Sequence, residues 1–214
     1  MKIVVISDTH GEHENLGSLA GDVLIHCGDI GLGGNDSLYA VERLDAWFKA
    51  QSFKLILCTG GNHDFGLEHA SRNGGQLFKN AIYLEDEAVV FEGIKFYGAP
   101  WIPELRFWAF FKDEQAMAKK WASIPEDTDV LLTHTPPHGV LDRTSNGKHC
   151  GCRALRDRID QLNLKLHCFG HIHASAGMAS NGSTYFINAA MVDKSYKVVR
   201  RPFEFNINHE NILA

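Results

Sequence analysis

The chain has 214 residues, of which 44% are hydrophobic and 22% charged, with a formal net charge of −5. That length buries a core without disulfide help, and the acidic balance argues against a dedicated nucleic-acid surface, although bound divalent cations would reverse the local sign for a small anionic substrate. No apolar run approaches membrane-spanning length, and the opening run Met1–Ile6 passes straight into Ser7 and Asp8, so the expectation is a soluble cytoplasmic protein of one domain, 1–214.

Lys2–Ser7 is a short β-branched run, the pattern of a strand buried on both faces, and Asp8-Thr9-His10-Gly11 follows as a loop. Val23–Cys27 reads as the second strand, ending in Gly28-Asp29. A glycine-rich connector, Gly31–Gly34, leads to a helix that Asp36 or Ser37 would cap, with Leu38, Val41, Leu44 and Phe48 at helical spacing. Strand, polar turn, helix and strand in succession is the rhythm of an α/β fold.

The third strand, Lys54–Cys58, runs into Thr59-Gly60-Gly61-Asn62-His63-Asp64, where paired glycines allow a sharp turn. Phe65–Gly75 is polar and reads as a loop or short helix. Val89–Phe91 and Ile94–Tyr97, separated by Glu92-Gly93, form a tight hairpin. The aromatic stretch Ala99–Pro103 and Phe107–Phe111 reads either as packing or as a wall beside a site, with Trp101 the residue expected to touch substrate. Asp113 or Glu114 opens a helix through Trp121, and Asp129–Thr133 is a strand leading to His134. Cys152–Leu162 is amphipathic, with Leu155, Ile159 and Leu162 on one face. Leu166–Phe169 is a strand ending in Gly170-His171-Ile172-His173, while Ser183–Asn188 and Lys197–Ile207 read as closing antiparallel strands.

The five cysteines are an odd number, and Cys27, Cys58 and Cys168 stand in apolar strands, which suits reduced, buried thiols. Cys150-Gly151-Cys152 beside His149 lacks a second pair to complete a zinc clip. His26 and His167 lie inside apolar strands and read as core. His13, His138 and His149 stand on loops that border the expected pocket, and Asn188 would support its loops.

Five apolar strands thus end in Asp, Asn or His, which places one polar site at one edge of a sheet. An isolated Asp-x-His says little. Asp8, His10, Asp29, Asn62, His134, His171 and His173 together offer carboxylate, amide oxygen and imidazole, the donors that divalent manganese, iron, nickel or zinc take. Seven donors exceed the three protein ligands typical of a single catalytic ion, and two ions sharing one carboxylate accommodate them.

The ordered motifs Asp8-Thr9-His10, Gly28-Asp29, Gly61-Asn62-His63-Asp64, His134 and Gly170-His171-Ile172-His173 resemble those of the calcineurin-like metallophosphoesterases. Tyr97–Trp101, Phe107–Phe110, Thr133–Pro137, Gly151-Cys152, Leu166–His173 and Asn188-Ala189 are similar to the MPPED-type metallophosphodiesterases within that group. The resemblance implies an α/β four-layer αββα sandwich of two mixed sheets flanked by helices, with a two-metal site at the C-terminal edge of the strands. It implies that Asp8, His10 and His173 hold one ion and Asn62, His134 and His171 the other, with Asp29 bridging and manganese the first choice of metal. A hydroxide between the ions would attack phosphorus in line. His63 would stabilise or protonate the leaving oxygen, Asp64 would accept from the other His63 nitrogen, and His138, His149 and Trp101 would border the substrate. The expected substrate is a small phosphodiester such as a cyclic nucleotide. The alternatives are a phosphomonoester or phosphoprotein, or a non-catalytic metal-binding scaffold, against which the full ligand set and His63 both speak. No membrane or nucleic-acid partner is expected, and the oligomeric state stays open.

Overall fold

The computed structural model describes residues 1–33, 37–75, 77–103, 105–207 and 212–213. Two six-stranded mixed sheets are built from β1 (Lys2–Ile6), β2 (Val23–His26), β3 (Leu55–Cys58), β4 (Ile82–Tyr83), β5 (Glu87–Phe91), β6 (Ile94–Ala99), β7 (Val130–Thr133), β8 (Leu166–Phe169), β9 (Gly177–Ser180), β10 (Tyr185–Asn188), β11 (Phe203–Ile207) and β12 (Ile212–Leu213). The first sheet has the order β12-β11-β1-β2-β3-β4 and the second β5-β6-β7-β8-β10-β9. In each sheet four neighbouring strands run parallel, β1 to β4 in one and β6, β7, β8 and β10 in the other.

The alternation of side chains along each strand sorts the core into layers. Ile3, Val5, Val23, Ile25 and Leu57 of the first sheet pack with Phe96, Val130, Leu132, Leu166, Cys168 and Ile187 of the second, filling the space between the sheets. The opposite parity, including Val4, Ile6, Leu24, Ile56, Leu131 and Phe169, joins the buried faces of the helices. Each such side chain withdrawn from water contributes roughly 1.5–3 kcal/mol. The helices are α1 (Ser37–Lys49), α2 (Phe65–Arg72), α3 (Glu114–Ala122) and α4 (Arg153–Ile159). Phe48 of α1 meets His26 on the outer face of β2. Tyr97 of β6 reaches Ser123 at the end of α3, and Trp121 Nε1 donates to Cys152 Sγ at the start of α4. The result is the expected α/β sandwich, helix layer to helix layer.

Several local expectations shift. Of the loop or short helix expected over Phe65–Gly75, Phe65–Arg72 forms the helix α2, and the Glu87–Phe91/Ile94–Ala99 hairpin gains two residues per strand at its open end. Of the two expected caps of α1, Asp36 lies outside the described residues, as does Gly34 of the connector, and Ser37 is the first helical residue. Asp113 caps α3, its Oδ1 accepting from Ala116 N at 2.8 Å. The two closing strands are not partners. β10 runs parallel to β8 and antiparallel to β9, whereas β11 pairs antiparallel with β1 in the other sheet. All five cysteines are free thiols. Among the described residues no helix is long and apolar enough to cross a membrane.

Candidate metal centre

The site lies where five strand ends from both sheets meet, rather than at the edge of one. β1, β2 and β3 deliver Asp8 and His10, Asp29, and Asn62 and His63. β7 and β8 deliver His134, and His171 and His173. Asp8, His10, Asp29 and His171 all take left-handed backbone, with φ of 51°, 45°, 56° and 69°. For residues with a Cβ that conformation costs energy, and it persists only where neighbours enforce it. Here they do: Asp8 N, His10 N and Gly11 N donate in turn to the carbonyls of Gly28, Asp29 and Ile30. Two glycines make the convergence sterically possible. A Cβ at Gly170 would stand 1.9 Å from Asp8 Oδ2, and one at Gly61 would stand 2.4 Å from Asp29 Oδ1.

The donors fall into overlapping groups. Asp8, His10 and His173 offer ligand atoms within 4.8 Å of one another, as do Asp29, His134 and His171. A third grouping, His10, Asp29 and His63, shares two members with them. His173 Nε2 is 3.1 Å from Asp8 Oδ1 and 3.3 Å from His10 Nε2. His134 Nε2 is 3.1 Å from Asn62 Oδ1 and 3.3 Å from Asp29 Oδ2, and the same Asp29 oxygen lies 3.7 Å from His10 Nε2.

The ring tautomers decide what these contacts are. His10 Nδ1 sits 2.8 Å from Gly31 O and His134 Nδ1 sits 2.8 Å from Cys27 O, and a carbonyl only accepts, so both Nδ1 atoms carry the proton. In the neutral rings both Nε2 atoms are then lone pairs turned toward oxygens and a further imidazole nitrogen. Lone pairs converging in this way call for a positive charge among them, and oxygen with imidazole is the donor chemistry of divalent first-row ions. The residues fit two such ions.

The electrostatics agree. Burial alone would raise the Asp8 carboxyl, but the hydrogen bond from His173 and the fields of His134 and His173 outweigh it and hold the group well below the usual carboxylate range. Asp29 behaves alike: burial is overcome by the charge and hydrogen bond of His134, then by His10 and His63. Burial would lower His134, but Asp29 beside it pushes the imidazole up to about 9. Burial, then His134, brings His171 down to about 4, and burial lowers His10 despite Asp29 and Asp8. Both carboxylates are therefore charged at neutral pH and His10 and His171 are neutral donors, while His134 holds a second proton that a bound cation would displace.

His63 and Asp64 depart from expectation. His63 Nδ1 donates to Leu32 O at 2.9 Å, so Asp64 is not its partner. Its Nε2 faces Asp29 Oδ2 at 3.9 Å. Asp64 is buried and accepts from Asp29 N, Ile30 N, Gly31 N and Gly61 N at 2.9, 2.9, 3.4 and 2.8 Å. It clamps the loop after β2 to the turn after β3. Burial, then Asp29, pushes its carboxyl up to about 7 against those donors. On the other sheet Asn188 has the corresponding place: its Nδ2 donates to Leu141 O and Ile172 O, and its Oδ1 accepts from Ala190 N.

Trp101 does not border the centre. It is buried, its Nε1 donates to Asp86 Oδ1 at 2.7 Å, and Lys112 and Lys120 stand over its ring, Lys120 reaching it from α3. Trp108 lies there instead, 4.5 Å from the His63 ring. His138 and His149, rings 5.5 Å apart, line a cleft of about 670 Å³ with Lys112, Lys148 and Arg153. None of the seven candidate ligands lines that cleft. His13 is buried against Trp47 rather than bordering a pocket. His26 and His167 are buried, and each braces a ligand loop. His26 accepts from Gly28 N on Nδ1, so its Nε2–H donates to Thr9, and His167 meets Thr133 one residue before His134. Sequence reading missed Tyr196, whose ring lies 4.7 Å from that of His10. It belongs to no motif, and only its aromatic character marked it.

Comparison with known proteins gives the same picture. Residues 1–175 match the family described as calcineurin-like phosphoesterase. UPF0046 protein K07C11.7 from Caenorhabditis elegans is 34% identical over 222 residues, covering 97% of this chain and 75% of that protein. Metallophosphoesterase domain-containing protein 1 from Homo sapiens is 30% identical over 232 residues, covering 96% and 71%. The solved structure of phosphopantetheinyl hydrolase from Mycobacterium tuberculosis shares the fold, with a TM-score of 0.58 at 16% identity over 91% of this chain and 90% of that one.

Proposed function

The chain belongs to the calcineurin-like phosphoesterase family and is a divalent-metal-dependent phosphoesterase, and from that premise we propose that it hydrolyses small phosphodiesters, cyclic nucleotides among them. Asp8, His10 and His173 are assigned to one ion and Asn62, His134 and His171 to the other, with Asp29 shared. The observation that carries the assignment is the single oxygen Asp29 Oδ2, which reaches ring nitrogens of both groups, His134 at 3.3 Å and His10 at 3.7 Å. Manganese is the first choice because the set holds oxygen and imidazole and no sulfur.

When bound, the ions supply Lewis-acid polarisation of the phosphoryl oxygens and acidify water. The protein supplies the rest. His63, its Nδ1–H fixed on Leu32 O, presents Nε2 to the centre, where in its imidazolium form it delivers the Nε2 proton to the departing ester oxygen and is left as the neutral ring. Asp64 acts through the backbone, holding the Asp29 and Asn62 loops in one register. A diester is favoured over a monoester by the charges present. Among the described residues no Lys or Arg side chain contacts a side chain of the seven. Arg200 spends its guanidinium on the carbonyls of Ala190, Val192 and His173. A monoanionic diester needs fewer positive partners than a dianionic monoester.

The test compares a bis-aryl with a mono-aryl phosphate, using protein freed of metal and then given manganese. Manganese-dependent turnover that favours the diester is the expected outcome. Faster hydrolysis of the monoester would overturn the diesterase assignment, and no hydrolysis of either with two equivalents bound would remove the catalytic one.

A further inference from the structure

Two partly exposed aromatic rings from separate segments lie against His63, and neither is a metal-site donor. Trp108 is 40% exposed, and its ring lies 4.5 Å from His63 and 6.0 Å from Phe65. Its loop is tied to the centre, because Ala109 N donates to Asn62 O at 3.1 Å. Tyr196 is 39% exposed, with its ring 4.7 Å from His10, 6.0 Å from His173 and 6.3 Å from His63.

Tyr196 is held there at a cost. Its φ is 57°, left-handed backbone that a bulky residue adopts only under constraint. The constraint is visible. Asp193 Oδ1 accepts from Ser195 N and Lys197 N, and Asp193 O accepts from Tyr196 N. Arg200 fastens the following segment to Ala190, Val192 and His173 through their carbonyls. The turn lies beyond residues 1–175, the segment that matches the family.

If His63 Nε2 protonates the departing oxygen, whatever that oxygen carries must pass beside the rings that touch His63. An indole and a phenol, both partly open to solvent, offer flat faces and edges on which a planar group stacks, whereas an alkyl chain gains little from them. We propose that Trp108 and Tyr196 receive a planar aromatic group on the ester oxygen, so that aryl and nucleoside-type phosphoesters are the preferred substrate class. This rests on the phosphoesterase reading and adds a selectivity to it.

Phenylphosphonate and methylphosphonate share one head group, resist hydrolysis and differ in the ring, so calorimetry on the manganese-loaded protein isolates the ring's contribution. Phenylphosphonate should bind at least tenfold more tightly. Trp108→Leu and Tyr196→Leu should each erode that advantage while methylphosphonate affinity and manganese content hold. Equal affinities in the unaltered protein, or a ring preference that survives both substitutions, would overturn the proposal, and the first comparison needs no variant to fold. Methylphosphonate binding without ring preference removes this inference alone. Failure of both phosphonates to bind, with no phosphoester hydrolysed, removes the catalytic reading beneath it.

Discussion

The two sheets contribute unequally to the centre they share. The first supplies both carboxylates, the amide, His10 and His63, and its loops are clamped by a buried carboxylate, Asp64, that accepts four backbone N–H groups. The second supplies three imidazoles and is braced by a neutral amide, Asn188. Negative charge thus sits on one half, while the other offers imidazoles alone. Neither half alone offers the full set of donors for two divalent ions. Metal binding on this reading is therefore linked to the packing of sheet on sheet, and ligand that binds only the docked form stabilises it.

The contrast is broken most severely by removing the group that joins the halves. Asp29→Ala should lower manganese-dependent turnover by about a thousandfold or more and reduce bound metal from two equivalents, read by kinetics and elemental analysis together. Full metal content in that variant would show that the halves are bridged elsewhere. His63→Ala leaves both donor groups intact. It should cost about 10²- to 10⁴-fold in turnover with metal retained, and an unchanged rate would remove His63 from the chemistry.

The two braces give a sharper comparison. Asp64→Ala leaves four N–H groups without their acceptor and should cost roughly 3 kcal/mol or more, while Asn188→Ala frees fewer groups and should cost about 1–2 kcal/mol. Urea midpoints of the two variants measure the difference, and equal losses would mean that the charge of the first brace is irrelevant. A pH-dependent effect comes from two buried strand histidines, one per sheet. His26 and His167 are each lowered to about 3, chiefly by burial. Both are neutral in the folded protein yet protonate in the unfolded chain near pH 6.5. Their contribution is complete above pH 6.5 and drains away as pH falls toward 3, by about 1.4 kcal/mol per pH unit for each imidazole. His167→Gln should flatten the stability-against-pH slope between pH 6.5 and 4.5 by one proton's worth.

Much of the fold could be read from the chain. Short runs such as Lys2–Ile6 and Leu166–Phe169, bounded by polar turn residues, read as buried strands, and the polar residues that end them mark where the strands leave the apolar core. The seven donors were legible for the same reason. What remained hidden depends on contacts distant in sequence. Trp101 and Trp108 are both tryptophans in one aromatic stretch. Only the bond from Trp101 to Asp86 and the bond from Ala109 to Asn62 decide that the first is buried under two lysines and the second lies on His63.

Asp64 shows the same division. Its neighbour in sequence suggested a partner for His63, but the turn after β3 carries its carboxylate to backbone N–H groups more than thirty residues away, while Leu32 reaches His63. Side-chain chemistry and strand periodicity are local properties, so the sequence by itself determined that strands end in metal-seeking groups. Which ends meet, across which sheets, and which aromatic rings close over them are settled by packing between distant segments, and that was decided only by the tertiary structure.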